Sequence, residues 1–143
     1  GGQHYKTHYQ HWDLVHNTRM GYFEGQATRY LTRWRKKDGL QDLNKALHYI
    51  NKMMELAVIS GKATRELYGE SRIAAEIERF RIANQLDPEE AAAIADIAMW
   101  QSIVDLTSAR AMVVALIHQE EAKADAKPVP LTEENHHAER EVT

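Results

Sequence analysis

From Tyr22 onward, apolar residues return every three or four positions, segment after segment, and Gly or Pro interrupts that rhythm at only a few points. A 3.6-residue period of this kind constrains the chain to helices with one buried face each. Phe23, Ala27, Tyr30, Leu31 and Trp34 trace the first stripe and predict a helix over about 22–37. Lys36 and Lys37 suit the negative end of its dipole, and Gly39 suits the position just past its end. Leu43, Ala46, Leu47, Ile50, Met54 and Ala57 predict a second helix over about 40–59, stopped at Ser60-Gly61. So short a connection predicts an antiparallel helical hairpin.

Leu67, Ile73, Ile77 and Phe80 predict a third helix over about 63–84. The fourth has the clearest start: Asp87 as N-cap, Pro88 in the first helical position, then Glu89 and Glu90 in the first turn. No Gly or Pro follows before Lys123, so the reading is one helix over about 87–123, about 50 Å long at 1.5 Å per residue. Its apolar residues, Ile94, Trp100, Ile103, Val104 and Val113 among them, wrap more than one face. That is more surface than a compact monomer covers, which predicts a homo-oligomer. The expected fold is an all-α, oligomeric bundle.

Residues 1–21 are rich in His and Tyr and lack a clean period; Asp13-Leu14-Val15 suits a short helix within an otherwise irregular arm. After Ala126, two prolines and many charges predict a disordered tail over 127–143. The expected division is an N-terminal unit with its arm over 1–59, a helical extension for oligomerisation over 60–126, and the tail.

Seven Gly and three Pro in 143 residues exclude collagenous and turn-rich all-β architectures, and the lack of cysteine excludes disulfides and thiolate chemistry. No apolar run is long enough to span a bilayer and no signal-peptide pattern opens the chain, so the expected setting is the cytoplasm, with no membrane partner. The net charge of −3 is uneven: residues 1–57 carry nine Lys and Arg against five Asp and Glu, whereas the remainder carries nine against sixteen. A modest basic half favours an anionic ligand and falls short of the density expected of a nucleic-acid binder.

Gly-rich phosphate loops and the usual hydrolase and metalloprotease motifs are absent. Helical geometry offers another candidate. Gln26, Arg29, Arg33 and Lys36 fall at i, i+3, i+7 and i+10 on the first helix, and Asp42, Lys45, Tyr49 and Lys52 repeat that spacing on the second. In an antiparallel hairpin these stripes flank one groove, where Arg forks and Lys charges suit phosphate oxygens. The alternative is a solvated face laced with ion pairs. Asp13, Glu24 and Asp42 together have the chemistry to hold a magnesium ion. His4, His8, His11 and His16 lack helical spacing evidence and an acidic ligand, so no intrinsic metal is expected. Glu89-Glu90 and Glu120-Glu121 read as helix ends and surface charge.

His4-Tyr5-Lys6, Trp12-Asp13, the run Gly25-Gln26-Ala27-Thr28-Arg29-Tyr30, then Arg33 through Lys37, and Asp42-Leu43-Asn44-Lys45-Ala46 followed by Tyr49 resemble a small domain common in tailed phages. That family was long of unknown function and is similar to a phage nucleotide kinase that phosphorylates deoxynucleoside monophosphates without a P-loop. The resemblance covers about residues 3–57. It departs at Gln26, where the family usually has Asn, and at Arg29, where it usually has Lys. The resemblance implies a nucleotide ligand, with magnesium arriving on the nucleotide. Arg29, Arg33, Lys36, Lys37 and Lys45 would hold phosphates, and Asp42 would orient Lys45 or a magnesium-bound water as the catalytic pair. Tyr49 or His4 would contact base or sugar, with Tyr5, Lys6, Gln26 and Tyr30 completing the ligand set. Three functions follow as expectations: a nucleotide kinase in the host cytoplasm, a binding protein that sequesters a nucleotide of host defence, and a helical inhibitor of a host protein.

Overall fold

The computed structural model describes residues 8–60 and 69–126. They form an all-α fold, with six α-helices and, among the described residues, no strand. The expectations for His4, Tyr5 and Lys6, for 63–68 and for the tail over 127–143 lie outside the described residues.

Helix α1, His11–Thr18, contains Asp13-Leu14-Val15, where a short helix is expected, and extends beyond them on both sides. A reciprocal cap starts it: the Asp13 carboxylate accepts from the Gln10 N–H at 3.0 Å, while the Gln10 side chain accepts from the backbone N–H of Asp13, the third helical residue. Only Leu14 and Thr18 bury on this helix, so its two turns are too short to show a period. Helix α2 spans Tyr22–Arg33 and tightens into a 3₁₀ turn, Trp34–Lys36. Gly39, at φ +51°, then redirects the chain into α3, Leu40–Ser60. Arg33 meets Asp42 and Tyr30 meets Tyr49, so α2 and α3 form the expected antiparallel hairpin.

Helix α4 is Glu70–Ala83. Gly69 stands outside it at φ +73°, so the expected helix from 63 cannot run through to 84. Helix α5, Pro88–Ala98, begins at Asp87 as expected, with Glu90 accepting from the Asp87 N–H at 2.9 Å.

The single long helix is corrected. The chain breaks at 99–102 and resumes as α6, Ile103–Ala126. Asp105 holds the new start, accepting from the N–H groups of Gln101 (2.8 Å) and Ser102 (3.2 Å). The break lets α6 pack back on α5 and along α3. Ile94, Ile97, Leu106, Val113 and Leu116 thereby enter the chain's own core. Val104, from the same apolar run, remains exposed.

One hydrophobic cluster joins all of this. Leu14, Leu31, Trp34, Leu43, Ile50, Phe80, Ile94 and Val113 belong to it, so the stretches 1–59 and 60–126 share a core. Helix α1 packs on α4, α5 packs on α2 and α6 packs along α3. Among the described residues no helix is long and apolar enough to cross a membrane.

Candidate functional site

The basic stripe divides into three parts. At the loop end, Lys36 and Lys37 are exposed beside the 3₁₀ turn. In the middle, Arg33 grips Asp42 with a two-pronged fork, Nε to Oδ2 and Nη2 to Oδ1, both 3.1 Å. Asp42 is 0% exposed and also accepts from the Asp38 N–H at 3.3 Å. Burial, the largest single influence, pushes its carboxyl up; the Arg33 hydrogen bonds, the Asp38 N–H and the charges of Arg33 and Lys45 together outweigh it and hold the carboxyl below the ordinary range. The same bonds push Arg33 up. Asp42 therefore serves as a latch between α2 and α3. Both of its oxygens accept hydrogen bonds inside the fold, and Lys45, which the sequence pairs with it, stands near enough for its charge to act on the carboxyl.

Beside the latch, Tyr30 stacks on Tyr49, with centroids 6.0 Å apart and planes 9° from parallel. Three cations surround Tyr30: Arg33 at 4.9 Å, Lys45 at 5.4 Å and Arg29 at 5.5 Å from its ring centroid. Tyr22 meets the edge of Tyr49 at 6.3 Å. The Tyr49 hydroxyl is raised above the ordinary phenol range, first by its hydrogen bond with Tyr22 and then by burial.

At the other end, Gln26 and Arg29 reach a cleft of about 320 Å³ between α1 and α2. Its remaining walls include His11, Trp12, Tyr22 and Gly25, and no carboxylate lines it. Trp12 is 70% exposed and Tyr22 is 65% exposed, so both rings are open to a ligand. Arg29 is exposed and has no carboxylate partner among the described residues, in contrast to Arg33, Arg35, Arg79 and Arg81.

His11 forms the inner wall of the cleft. The Thr28 hydroxyl donates to the Glu24 carbonyl at 2.8 Å, so at the Thr28–His11 contact, also 2.8 Å, the imidazole Nε2 donates. Burial first, and the charge of Arg29 second, push His11 down to about 4. It is a neutral hydrogen-bonding group at pH 7.

Asp13, Glu24 and Asp42, the carboxylates offered for magnesium, each have a hydrogen-bond partner within the fold. Asp13 caps α1, Glu24 bonds the Trp100 indole and Asp42 is latched. Among the described residues no group of three potential ligands converges on a metal position.

Sequence reasoning placed Gln26 and Arg29 but missed His11 and Tyr22 as their partners, because the cleft needs α1. The signal was Gln10 followed three residues later by Asp13. Glu90 was read as a helix-end charge; it is also buried and accepts from the indole of Trp34 at 2.9 Å and from Arg35.

Set against known proteins, this all-α fold with a carboxylate-free, cation-and-aromatic cleft matches no family model, no curated protein and no solved structure.

Proposed function

We propose that the chain is a nucleotide-binding protein that holds its ligand in the α1–α2 cleft without transferring phosphate. The observation that carries this reading is Arg29. Its guanidinium has no carboxylate partner among the described residues, and it stands in a cleft whose other walls offer two exposed aromatic rings. Phosphate oxygens suit the Arg29 fork, a base suits the faces of Trp12 and Tyr22, and Gln26 supplies a donor and an acceptor for base or sugar. The resemblance of residues 3–57 to the tailed-phage family supports the same ligand class and, with it, a host-cytoplasmic setting. Magnesium, where present, travels with the nucleotide.

Binding is favoured over kinase chemistry because the carboxylate best placed by the sequence, Asp42, is buried and paired. Calorimetric titration with nucleoside mono- and triphosphates tests the reading. Arg29→Ala is expected to weaken binding at least about tenfold, the loss of one charge-assisted contact. Saturable binding with no labelled product from ATP and a deoxynucleoside monophosphate supports a sequestering protein. Product formation restores the kinase. No nucleotide binding, with a host protein co-purified, favours the inhibitor, for which exposed Val58 and Ile59 offer an apolar surface.

A further inference from the structure

A second cavity, of about 420 Å³, opens on the other flank of the α2 N-terminus and shares no lining residue with the cleft. Phe23, Met53, Leu56, Ala57 and Ile59 make its walls apolar. Glu24 and Trp100 are its polar groups of note. Glu24 is only 9% exposed, yet it lines this cavity. Its Oε2 accepts from the Trp100 indole N–H at 3.1 Å. Its Oε1 has no hydrogen bond, and its carboxylate no cationic partner, among the described residues.

A carboxylate in an apolar chamber, met by a single neutral donor, is electrostatically incomplete. Glu24 lies in the first turn of α2, the end of a helix that favours negative charge, with its Oε1 close over Gly21. Volume and wall chemistry fall in the range of small-molecule sites. The occupant that completes this one has an apolar body for Phe23, Met53 and Leu56 and a positive head for Glu24. The indole face of Trp100 adds a further surface that favours a cation.

We infer that this cavity binds a small protonated amine with an apolar body, the ammonium donating to the Glu24 carboxylate and the hydrocarbon portion lying between the ends of α2 and α3. The inference is independent of nucleotide binding in the cleft.

The test compares 2-phenylethylamine with the uncharged 2-phenylethanol, and hexylamine with hexanol, by calorimetry on the full chain at pH 7. Each amine is expected to bind saturably and at least about tenfold more tightly than its alcohol, the difference made by one charge-assisted pair. Glu24→Gln retains an acceptor for Trp100 and is expected to abolish that preference while leaving the alcohols unchanged. Equal binding of amine and alcohol by the wild type, or no saturable binding of either, overturns the inference without recourse to a variant. An amine preference that survives in folded Glu24→Gln also overturns it, because the charge would then reside elsewhere.

Discussion

Replacing Arg33 with Ala tests whether the middle of the basic stripe belongs to the fold or to a ligand. Arg33 supplies two of the three hydrogen bonds to buried Asp42, both 3.1 Å, and the Asp38 N–H supplies the third at 3.3 Å. Without the guanidinium a buried carboxylate keeps one long donor. Removing one partner of a buried pair costs about 3–5 kcal/mol. The Arg33 side chain is 29% exposed, so water can reach the gap, which places the expected loss near the lower bound, about 3 kcal/mol. With a urea m-value of about 1–3 kcal/mol/M, the unfolding midpoint falls by roughly 1–3 M. Adding Asp42→Leu removes the stranded charge and is expected to restore much of the loss. Because Asp42 is held below its ordinary value, the latch stabilises above about pH 4 and that stabilisation is lost as the pH falls through the lowered folded value. The gap between wild type and Arg33→Ala is therefore full at pH 7 and closes in acid. An unchanged urea midpoint in Arg33→Ala, together with abolished nucleotide binding, would refute the latch and return Arg33 to the ligand.

Asp96, on α5, has a buried Oδ2 with no hydrogen-bond partner among the described residues, and burial pushes its carboxyl up despite the Ser108 hydroxyl. A raised folded value makes ionised Asp96 a burden at neutral pH that is relieved as the pH falls, so Asp96→Asn should raise Tm at pH 7 by about 2–4 °C per kcal/mol relieved. Thermal melts at pH 7 and pH 4 check this; a lower Tm at pH 7 contradicts it. Glu90→Ala removes the acceptor shared by Trp34, Arg35 and the Asp87 N–H, and a loss of about 2–4 kcal/mol is expected in urea unfolding. Glu90→Gln, which keeps acceptor geometry but not charge, should fall between Ala and wild type.

The hairpin was legible because α2 and α3 each carry enough turns for the apolar period to stand out, and because Gly39 punctuates them. The start of α5 was legible because Asp87, Pro88 and Glu90 each satisfy a different requirement of a helix N-terminus. The break after Ala98 was not, since it contains neither Gly nor Pro. It is made by Trp100 turning aside to Glu24 and by Asp105 capping Gln101 and Ser102. The Ser102–Asp105 spacing is itself a helix-start pattern, but it lay inside a longer apolar run that drew the reading past it. Helical spacing puts Gln26, Arg29 and Arg33 on α2, whereas Lys36 falls in the 3₁₀ turn that follows it. It could not say which of their charges the fold would consume, because Asp42 is distant on the stripe and adjacent only once the hairpin closes.

That consumption of charge is what separates scaffold from site. Arg33 turns to Asp42 and Arg35 turns to Asp87 and Glu90, so neither has a fork to offer a phosphate. Arg29, one turn before Arg33, has the same side chain and a different task because the wall it faces bears no carboxylate. Its charge is felt by His11, and burial, the larger cause, keeps that imidazole neutral. An anion bound beside Arg29 would offset the charge that opposes His11 protonation. By reciprocity, protonating His11 would strengthen the hold on the anion. At pH 7 the imidazole stays neutral, so the proposed nucleotide reading stands or falls with one guanidinium and two open rings. Arg29→Ala tests that proposal, whereas Arg33→Ala tests the hairpin that presents Arg29.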